Sequence, residues 1–322
     1  MRWIKIIRDK NNIIGRCIYD MMEYENNFAK ILFRNAIMFL DAGVGFINKG
    51  FTTYRNMVQA IVNLQMAMEL ALKSSVVSYC GIRTVLNNKQ SELSDLEIEE
   101  LFNKNLLKIR EYDDIKNYTK GKNHLYDFER KQYNYMEKFQ KYRNCILHSS
   151  YIFTDEETKQ MEKDIIYTLI HILGILISDE TLIEERKYMQ EYLNKHEYAL
   201  LLKNPVYNTE LNVFLNNEYG KLYMCPYCST KTMTSDYKCA RCFSVFADRH
   251  FFEYVRCGYC GEDMVICDAA NIDNRDDHMV RGLCLNCKVD TIVYKCPKCG
   301  KFVNTELFGE DDCHGGFCQL FD

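Results

Sequence analysis

The stretch "CPYCSTKTMTSDYKCARC", Cys225 to Cys242, carries two C-x-x-C pairs with ten residues between them. Two residues between cysteines let a tight turn aim both sulfurs at one ion about 2.3 Å away, and a second such turn supplies the other two corners of a tetrahedron. Ten intervening residues leave room for one short hairpin. Three further pairs follow, "CGYC" (Cys257, Cys260), "CLNC" (Cys284, Cys287) and "CPKC" (Cys296, Cys299), and then "CHGGFC" (Cys313, Cys318). Thirteen of the 16 cysteines lie in the last hundred residues. In a chain that shows no secretion signal, such spacing reads as zinc rather than disulfides.

Pairing the knuckles in chain order places Cys225, Cys228, Cys239 and Cys242 around one ion. Cys257, Cys260, Cys284 and Cys287 surround a second, and Cys296, Cys299, Cys313 and Cys318 a third. That reading predicts about three Zn²⁺ ions and three small zinc-ribbon β domains, at 203–250, 251–290 and 291–322. A cross-braced arrangement, in which alternate knuckles share an ion, competes with it. His314 offers an alternative to Cys313, and Cys267 is left over and reads as a free cysteine.

Four-thiolate sites leave no coordination position open for water, so a structural role is expected. Charge bears on what such ribbons would bind. From Lys203 onward there are 13 Lys/Arg against 17 Asp/Glu, each four-thiolate zinc site adds about two negative charges, and the loop "CDAANIDNRDDH" (Cys267–His278) is acidic. A protein partner, or one specific nucleic-acid feature, fits this region better than a general grip on phosphates.

The whole chain of 322 residues has a net charge of −4, so no overall basic field holds it on nucleic acid. The first residues, "MRWIKIIRDKNNIIGR", break their apolar positions with charge every few places and do not form a signal peptide. No segment approaches ~18 uninterrupted apolar residues. The expectation is a cytoplasmic protein without membrane attachment.

Residues 1–202 contain little glycine and long apolar stripes of helical period, which predicts an all-α helical bundle. A first helix over Asp20–Asn48 carries Phe28, Ile31, Leu32 and Phe39 and ends near Gly50. A second, over Thr53–Tyr79, repeats Ile61, Leu64, Met68 and Leu72. Ser94-x-x-Glu97, Thr154-x-x-Glu157 and Thr181-x-x-Glu184 read as capping boxes opening later helices. The helix over Leu125–His148 carries Phe128, Tyr135, Phe139, Tyr142 and Ile146. Cys17, Cys80 and Cys145 stand alone and read as small buried hydrophobes. The first twenty residues give no clear element.

Within that bundle lies "KYRNCILHSS", Lys141 to Ser150. An arginine followed five places later by a histidine arises by chance about 0.3 times in a chain of this composition, so the pair alone is weak. Position adds weight: His148 closes a helix, where unpaired carbonyls favour a protonated imidazole.

Two segments resemble a known family. "QAIVNLQMAMELALKSSVVSYCG" (Gln59–Gly81) resembles the second helix of HEPN domains, and "RNCILH" matches their R-x4–6-H signature, polar residue after the arginine included. The resemblance spans about Tyr24 to Asp179 and leaves the cysteine-rich tail outside it. It implies a metal-independent endoribonuclease of toxin or antiviral-defence type, acting on RNA as a homodimer. Arg143 and His148 would be its active-site residues, with Asn144 beside them; Tyr151 stands one place further from the histidine than a tyrosine found in some toxin relatives.

Helix geometry adds a condition. Residues five apart diverge by ~140° around the axis, so Arg143 and His148 of one chain point apart, and a two-fold dimer would let Arg143 of one copy approach His148 of the other. A non-catalytic dimeric protein, with the bundle as scaffold and the ribbons recognising a protein or nucleic acid, is the competing expectation.

Overall fold

The computed structural model describes residues 5–6, 17–18, 21–50, 53–120, 130–148, 153–178, 181–235, 238–244, 254–267, 279–296 and 300–307. The chain divides into two compact units, Met1–Phe214 and Leu215–Asp322. The first is helical and the second holds a small antiparallel sheet with the cysteine clusters.

The described helices are α1 (Glu23–Asn48), α2 (Tyr54–Cys80), α3 (Asn88–Ser91), α4 (Asp95–Asn103), α5 (Tyr112–Lys120), α6 (Arg130–His148), α7 (Asp155–Ser178), α8 (Ile183–Leu193), α9 (Glu197–Leu201) and α10 (Pro205–Tyr219). The helical run thus continues past the boundary expected at Leu202/Lys203, and α10 carries the chain through the division between the units. Two two-residue strands, β1 (Lys5–Ile6) and β2 (Cys17–Ile18), pair antiparallel ahead of α1.

Helix α2 packs against α1, α5, α6 and α7. Its stripe of Ile61, Leu64, Met68 and Leu72 is at most 1 % exposed. Gly43 of α1 lets the two axes approach, since a Cβ there would sit 2.9 Å from Leu64 Cδ2. Both α1 and α2 are long and apolar enough to cross a membrane by length and composition alone, but 72 % of the most apolar window of α2 is buried inside the unit. The core helix of a water-soluble fold passes the same test.

The stripe expected on α1 is corrected. Of Phe28, Ile31, Leu32 and Phe39 only Leu32 is buried, and Ile31 is 47 % exposed. The buried face is instead Leu32, Phe33, Ala36, Ile37, Leu40, Val44 and Ile47. Helix α1 is apolar on more than one side, so its pattern does not single out the face that packs. The capping boxes at Ser94 and Thr154 are made, with Glu97 N–H donating to Ser94 Oγ at 3.4 Å and Glu157 N–H to Thr154 Oγ1 at 3.2 Å. At the third, α8 begins one residue later than expected, at Ile183, with the buried Leu182 rather than Thr181 in the N-cap position. Cys80 and Cys145 are half-buried rather than core. Phe128 lies outside the described residues.

In the second unit, β3 (Tyr254–Arg256), β4 (Asp263–Cys267), β5 (Met279–Cys284), β6 (Asp290–Lys295) and β7 (Phe302–Asn304) form one five-stranded antiparallel meander in chain order. The boundary expected at 290/291 falls at the first residue of β6. That strand leaves the Cys284–Cys287 knuckle and enters the Cys296–Cys299 one, so the expected second and third ribbons share a single sheet. Its alternation is plain: Thr291 and Val293 face inward, while Asp290 and Ile292 face out. Gly282 of β5 is required for this packing, because a Cβ there would lie 2.7 Å from Val265 Cγ1 and 2.8 Å from Val293 Cγ2. Fully buried Asn304 on β7 donates to the Arg256 carbonyl on β3 at 3.1 Å and accepts from Thr291 Oγ1 at 2.9 Å.

Candidate functional site

All five C-x-x-C turns share one backbone frame. At the first, Cys225 N–H donates to Thr230 O at 2.8 Å and Ser229 N–H donates to Cys225 O at 2.9 Å. The same two bonds, from the first cysteine to the residue five on and from the residue four on back to that cysteine, recur at Cys239, Cys257, Cys284 and Cys296. The residue four on is left-handed each time: φ is 53° at Ser229, 62° at Phe243, 71° at Gly261, 64° at Lys288 and 74° at Gly300. At the four knuckles described in full, the frame turns backbone amides inward toward the sulfurs, so each of these is a preformed half-site.

Four of the knuckles meet in pairs. Cys225, Cys228, Cys239 and Cys242 form one group, and Cys257, Cys260, Cys284 and Cys287 a second, with all sulfurs of a group within 4.8 Å of one another. The pairing is therefore sequential, and the cross-braced alternative is excluded for these eight cysteines. Sulfur–sulfur separations are 3.6 Å for Cys225–Cys242 and 3.7 Å for each of Cys228–Cys239, Cys257–Cys287 and Cys260–Cys284. A tetrahedron with metal–sulfur bonds of ~2.3 Å has edges of ~3.8 Å, whereas a disulfide needs ~2.05 Å. Both groups have the size of a tetrahedral metal cage. Within the first, neighbouring sulfurs drive the thiols apart: Cys228 is pulled far down by Cys225, and Cys239 is pushed up by its neighbours. Four sulfurs this close do not all ionise without a cation between them.

The surroundings of the two groups differ. Around the first, Thr230 Oγ1 lies 2.9 Å from Cys228 Sγ, Thr232 Oγ1 3.3 Å from Cys239 Sγ and Ser244 Oγ 3.2 Å from Cys242 Sγ. Around the second, backbone amides and the Asn286 side chain are the donors. Cys228 is the one half-buried sulfur residue of the first group; Cys260 and Cys287 are half-buried in the second.

The groups are tied together. Met224, just ahead of Cys225, donates its N–H to Leu285 O at 2.9 Å, and Leu285, just after Cys284, donates to Met264 O at 2.9 Å. Lys221 pairs with Glu262 at 2.6 Å and Tyr223 Oη donates to the same carboxylate at 3.2 Å, while the Glu262 backbone carbonyl braces Cys257. Tyr223, Met233, Val255, Met264, Val265, Leu285 and Val293 join the buried cysteines in one core.

Of the third expected set, Cys296 is buried and carries the knuckle frame. Cys299, Cys313, His314 and Cys318 lie outside the described residues. Cys267 is a buried core residue on β4 and belongs to neither four-cysteine group. The acidic loop beyond it, 268–278, also lies outside the described residues.

On the helical unit, Arg143 Nη1 donates to Asn144 Oδ1 at 3.0 Å on the exposed side of α6. Of His148 the backbone is described, as the last residue of α6; Tyr151 is not described. The residue that sequence reading missed is Asp164 of α7, 2 % exposed. Its Oδ2 accepts from Tyr142 Oη at 2.7 Å and Lys138 Nζ at 2.6 Å, and its Oδ1 from Gln160 Nε2 at 3.0 Å. Burial and the Asp164 carboxylate push the Tyr142 phenol up. Lys138 and Tyr142 stand one turn apart on α6, so a single carboxylate holds two points of one helix stripe and sets the rotation of the turn that bears Arg143 and Asn144. With Tyr142 turned inward, Asn144 lies ~200° around the axis and faces water, in agreement with its exposure.

Deeper in the bundle, burial lowers His171 to about 4, and its ring lies 5.0 Å from those of Tyr135 and Phe214. It is a neutral core histidine. No protein-family model, curated protein or solved structure matches the chain.

Proposed function

We propose that the chain is an RNA-cleaving protein of HEPN type whose cysteine-rich unit folds around zinc. Each described four-cysteine group would hold one ion, and the Cys296–Cys299 knuckle would complete a third with Cys313 and Cys318. The reading of the helical unit rests on the resemblance of Gln59–Gly81 and Arg143–His148 to that family. The observation that carries it furthest is the Arg143–Asn144 pair at 3.0 Å on the exposed face of a helix that ends at His148. His148 would take the proton of a ribose 2′-hydroxyl or supply one to the leaving oxygen, and Arg143 would clamp the phosphate as charge builds. Asn144 orients Arg143.

Two copies would meet through the ends of α6, so that Arg143 of one faces His148 of the other. A role in toxin or antiviral defence follows the resemblance. The acidic stretch of the cysteine-rich unit would meet a protein partner.

The test is to incubate wild type, Arg143→Ala and His148→Ala with mixed RNA and map product ends. The expected result is 2′,3′-cyclic phosphate and 5′-hydroxyl ends from wild type and a loss of ~10²–10⁴-fold in each folded variant. Undiminished cleavage by folded His148→Ala, or 5′-phosphate products that appear only with added Mg²⁺, would reject the mechanism. A second reading, a non-catalytic binding protein, draws on the cysteine-rich unit, whose two four-cysteine groups are fully assembled among the described residues. Absence of any RNA cleavage by a zinc-loaded dimer would favour it.

A further inference from the structure

We propose that the second four-cysteine group is the thiol-reactive metal site of this protein, the one hydroperoxides attack first, while the sulfurs of the first group react more slowly. The inference rests on zinc being the occupant of both groups.

A metal-bound thiolate reacts through the electron pair that faces outward, and a hydroxyl hydrogen-bonded to that pair both occupies it and draws off charge. Three of the four sulfurs in the first group have a hydroxyl oxygen within 3.3 Å, from Thr230, Thr232 and Ser244; Ser244 Oγ accepts from the Cys242 thiol and becomes a donor once a metal has displaced that hydrogen. Its one half-buried sulfur residue, Cys228, is among the three. Thr230 Oγ1 and Thr232 Oγ1 also bond each other at 2.8 Å, so one of their two hydrogens lies between the hydroxyls; with Thr232 donating to Thr230, the Thr230 hydroxyl is held in place to donate to Cys228. None of the sulfurs in the second group has a hydroxyl partner among the described residues; backbone amides and Asn286 supply its bonds.

The second group also has the geometry to complete an oxidation. Each of its short sulfur pairs joins one half-buried and one buried residue: Cys287 with Cys257 and Cys260 with Cys284, both at 3.7 Å. Attack of the Cys287 or Cys260 thiolate on a hydroperoxide breaks the O–O bond and forms a sulfenic acid, and the second oxygen leaves as water or an alcohol after gaining a proton. The buried partner then attacks that sulfur. An S–S bond forms, the sulfenic oxygen leaves as water with a proton from solvent, and the two thiols have lost two electrons in all. Two of the four ligands are gone, and the ion leaves. In the first group the corresponding first step at Cys228 is blunted by Thr230.

The experiment treats the full zinc-loaded chain with hydrogen peroxide, follows zinc release with a chromophoric chelator, and locates oxidised cysteines by differential alkylation and mass spectrometry. Oxidation of Cys257, Cys260, Cys284 and Cys287 should run about tenfold ahead of Cys225, Cys228, Cys239 and Cys242, the factor expected for a single hydrogen bond to a charged sulfur. Paired Thr230→Val and Thr232→Val substitutions should remove most of that gap by speeding the first group. Equal rates in wild type, or earlier oxidation of the first group, would overturn the proposal, and peptide mapping of wild type decides this even if the double variant fails to fold. A purified chain with no zinc in either group would instead overturn the metal reading beneath it.

Discussion

Tyr142 donates its phenol hydrogen to Asp164 at 2.7 Å, and the next residue along α6 is Arg143. The carboxylate is buried and served by three donors, and removing it takes the acceptor from the half-buried Tyr142 phenol while the exposed Gln160 amide turns to water.

Asp164→Ala should therefore cost about 2–3 kcal/mol of stability in the helical unit, and Tyr142→Phe about 1 kcal/mol, since Lys138 and Gln160 still serve the carboxylate. The Lys138 share is small because that side chain is 42 % exposed. Urea unfolding followed by far-ultraviolet circular dichroism measures both. If the carboxylate sets the rotation of α6, Asp164→Asn should also reduce RNA cleavage in protein that remains folded.

The two four-cysteine groups share a core and are joined through Met224 and Leu285. Cys225→Ser is expected to empty both groups, lowering bound zinc by about two ions per chain rather than one, since metal binding supplies the folding free energy of such small units. Helical circular dichroism should persist, because the helical unit is compact by itself. Elemental analysis showing the loss of a single ion would mean that the groups fold independently.

His171 gives the helical unit an acid-sensitive element. Its folded-state value of about 4 lies below the usual 6.5, so the unfolded chain binds the extra proton first as pH falls. The stabilisation is complete above ~6.5 and disappears as pH drops through ~4, a change of about 3 kcal/mol. His171→Phe keeps a ring between Tyr135 and Phe214 and should flatten the dependence of urea midpoint on pH in that window. An unchanged slope would show that other groups dominate acid unfolding.

The left-handed residue of each knuckle makes opposite predictions for two positions. Gly261 has open space around its Cα, so Gly261→Val acts through backbone strain alone and should lower stability of the cysteine-rich unit by about 1–2 kcal/mol. Lys288→Gly relieves similar strain but frees the unfolded chain, and should leave stability within about 0.5 kcal/mol of wild type. Thermal unfolding in the presence of zinc compares the two.

How much of this was legible in the sequence differs by element. The face of α2 could be read because Ile61, Leu64, Met68 and Leu72 fall on one side only; that of α1 could not, because Ile31 and Phe39 make a competing stripe that ends up exposed. The knuckles were visible as cysteine spacing, and two announce their left-handed residue as glycine, in "CGYCG" and "CPKCG". At the other three the tertiary frame forces Ser229, Phe243 and Lys288 into that conformation. The continuity of the sheet was hidden because β6 serves as the exit of one knuckle and the approach to the next, which spacing cannot distinguish from a linker. Asp164 sits in "DEETKQMEKD", among charges that otherwise face water, and only packing of α6 on α7 sets it apart.

The bond from Asn304 to Arg256 joins the outermost strands of the meander, and each of those strands is three residues long. Among the described residues, neither border strand is long enough to template an added strand, whether from a second copy or from an extended peptide. Border strands this short disfavour edge-to-edge aggregation. What the described part of this unit presents instead is side chains at the turns, such as the exposed Tyr227 and Tyr259 that stand within the first knuckle of each four-cysteine group.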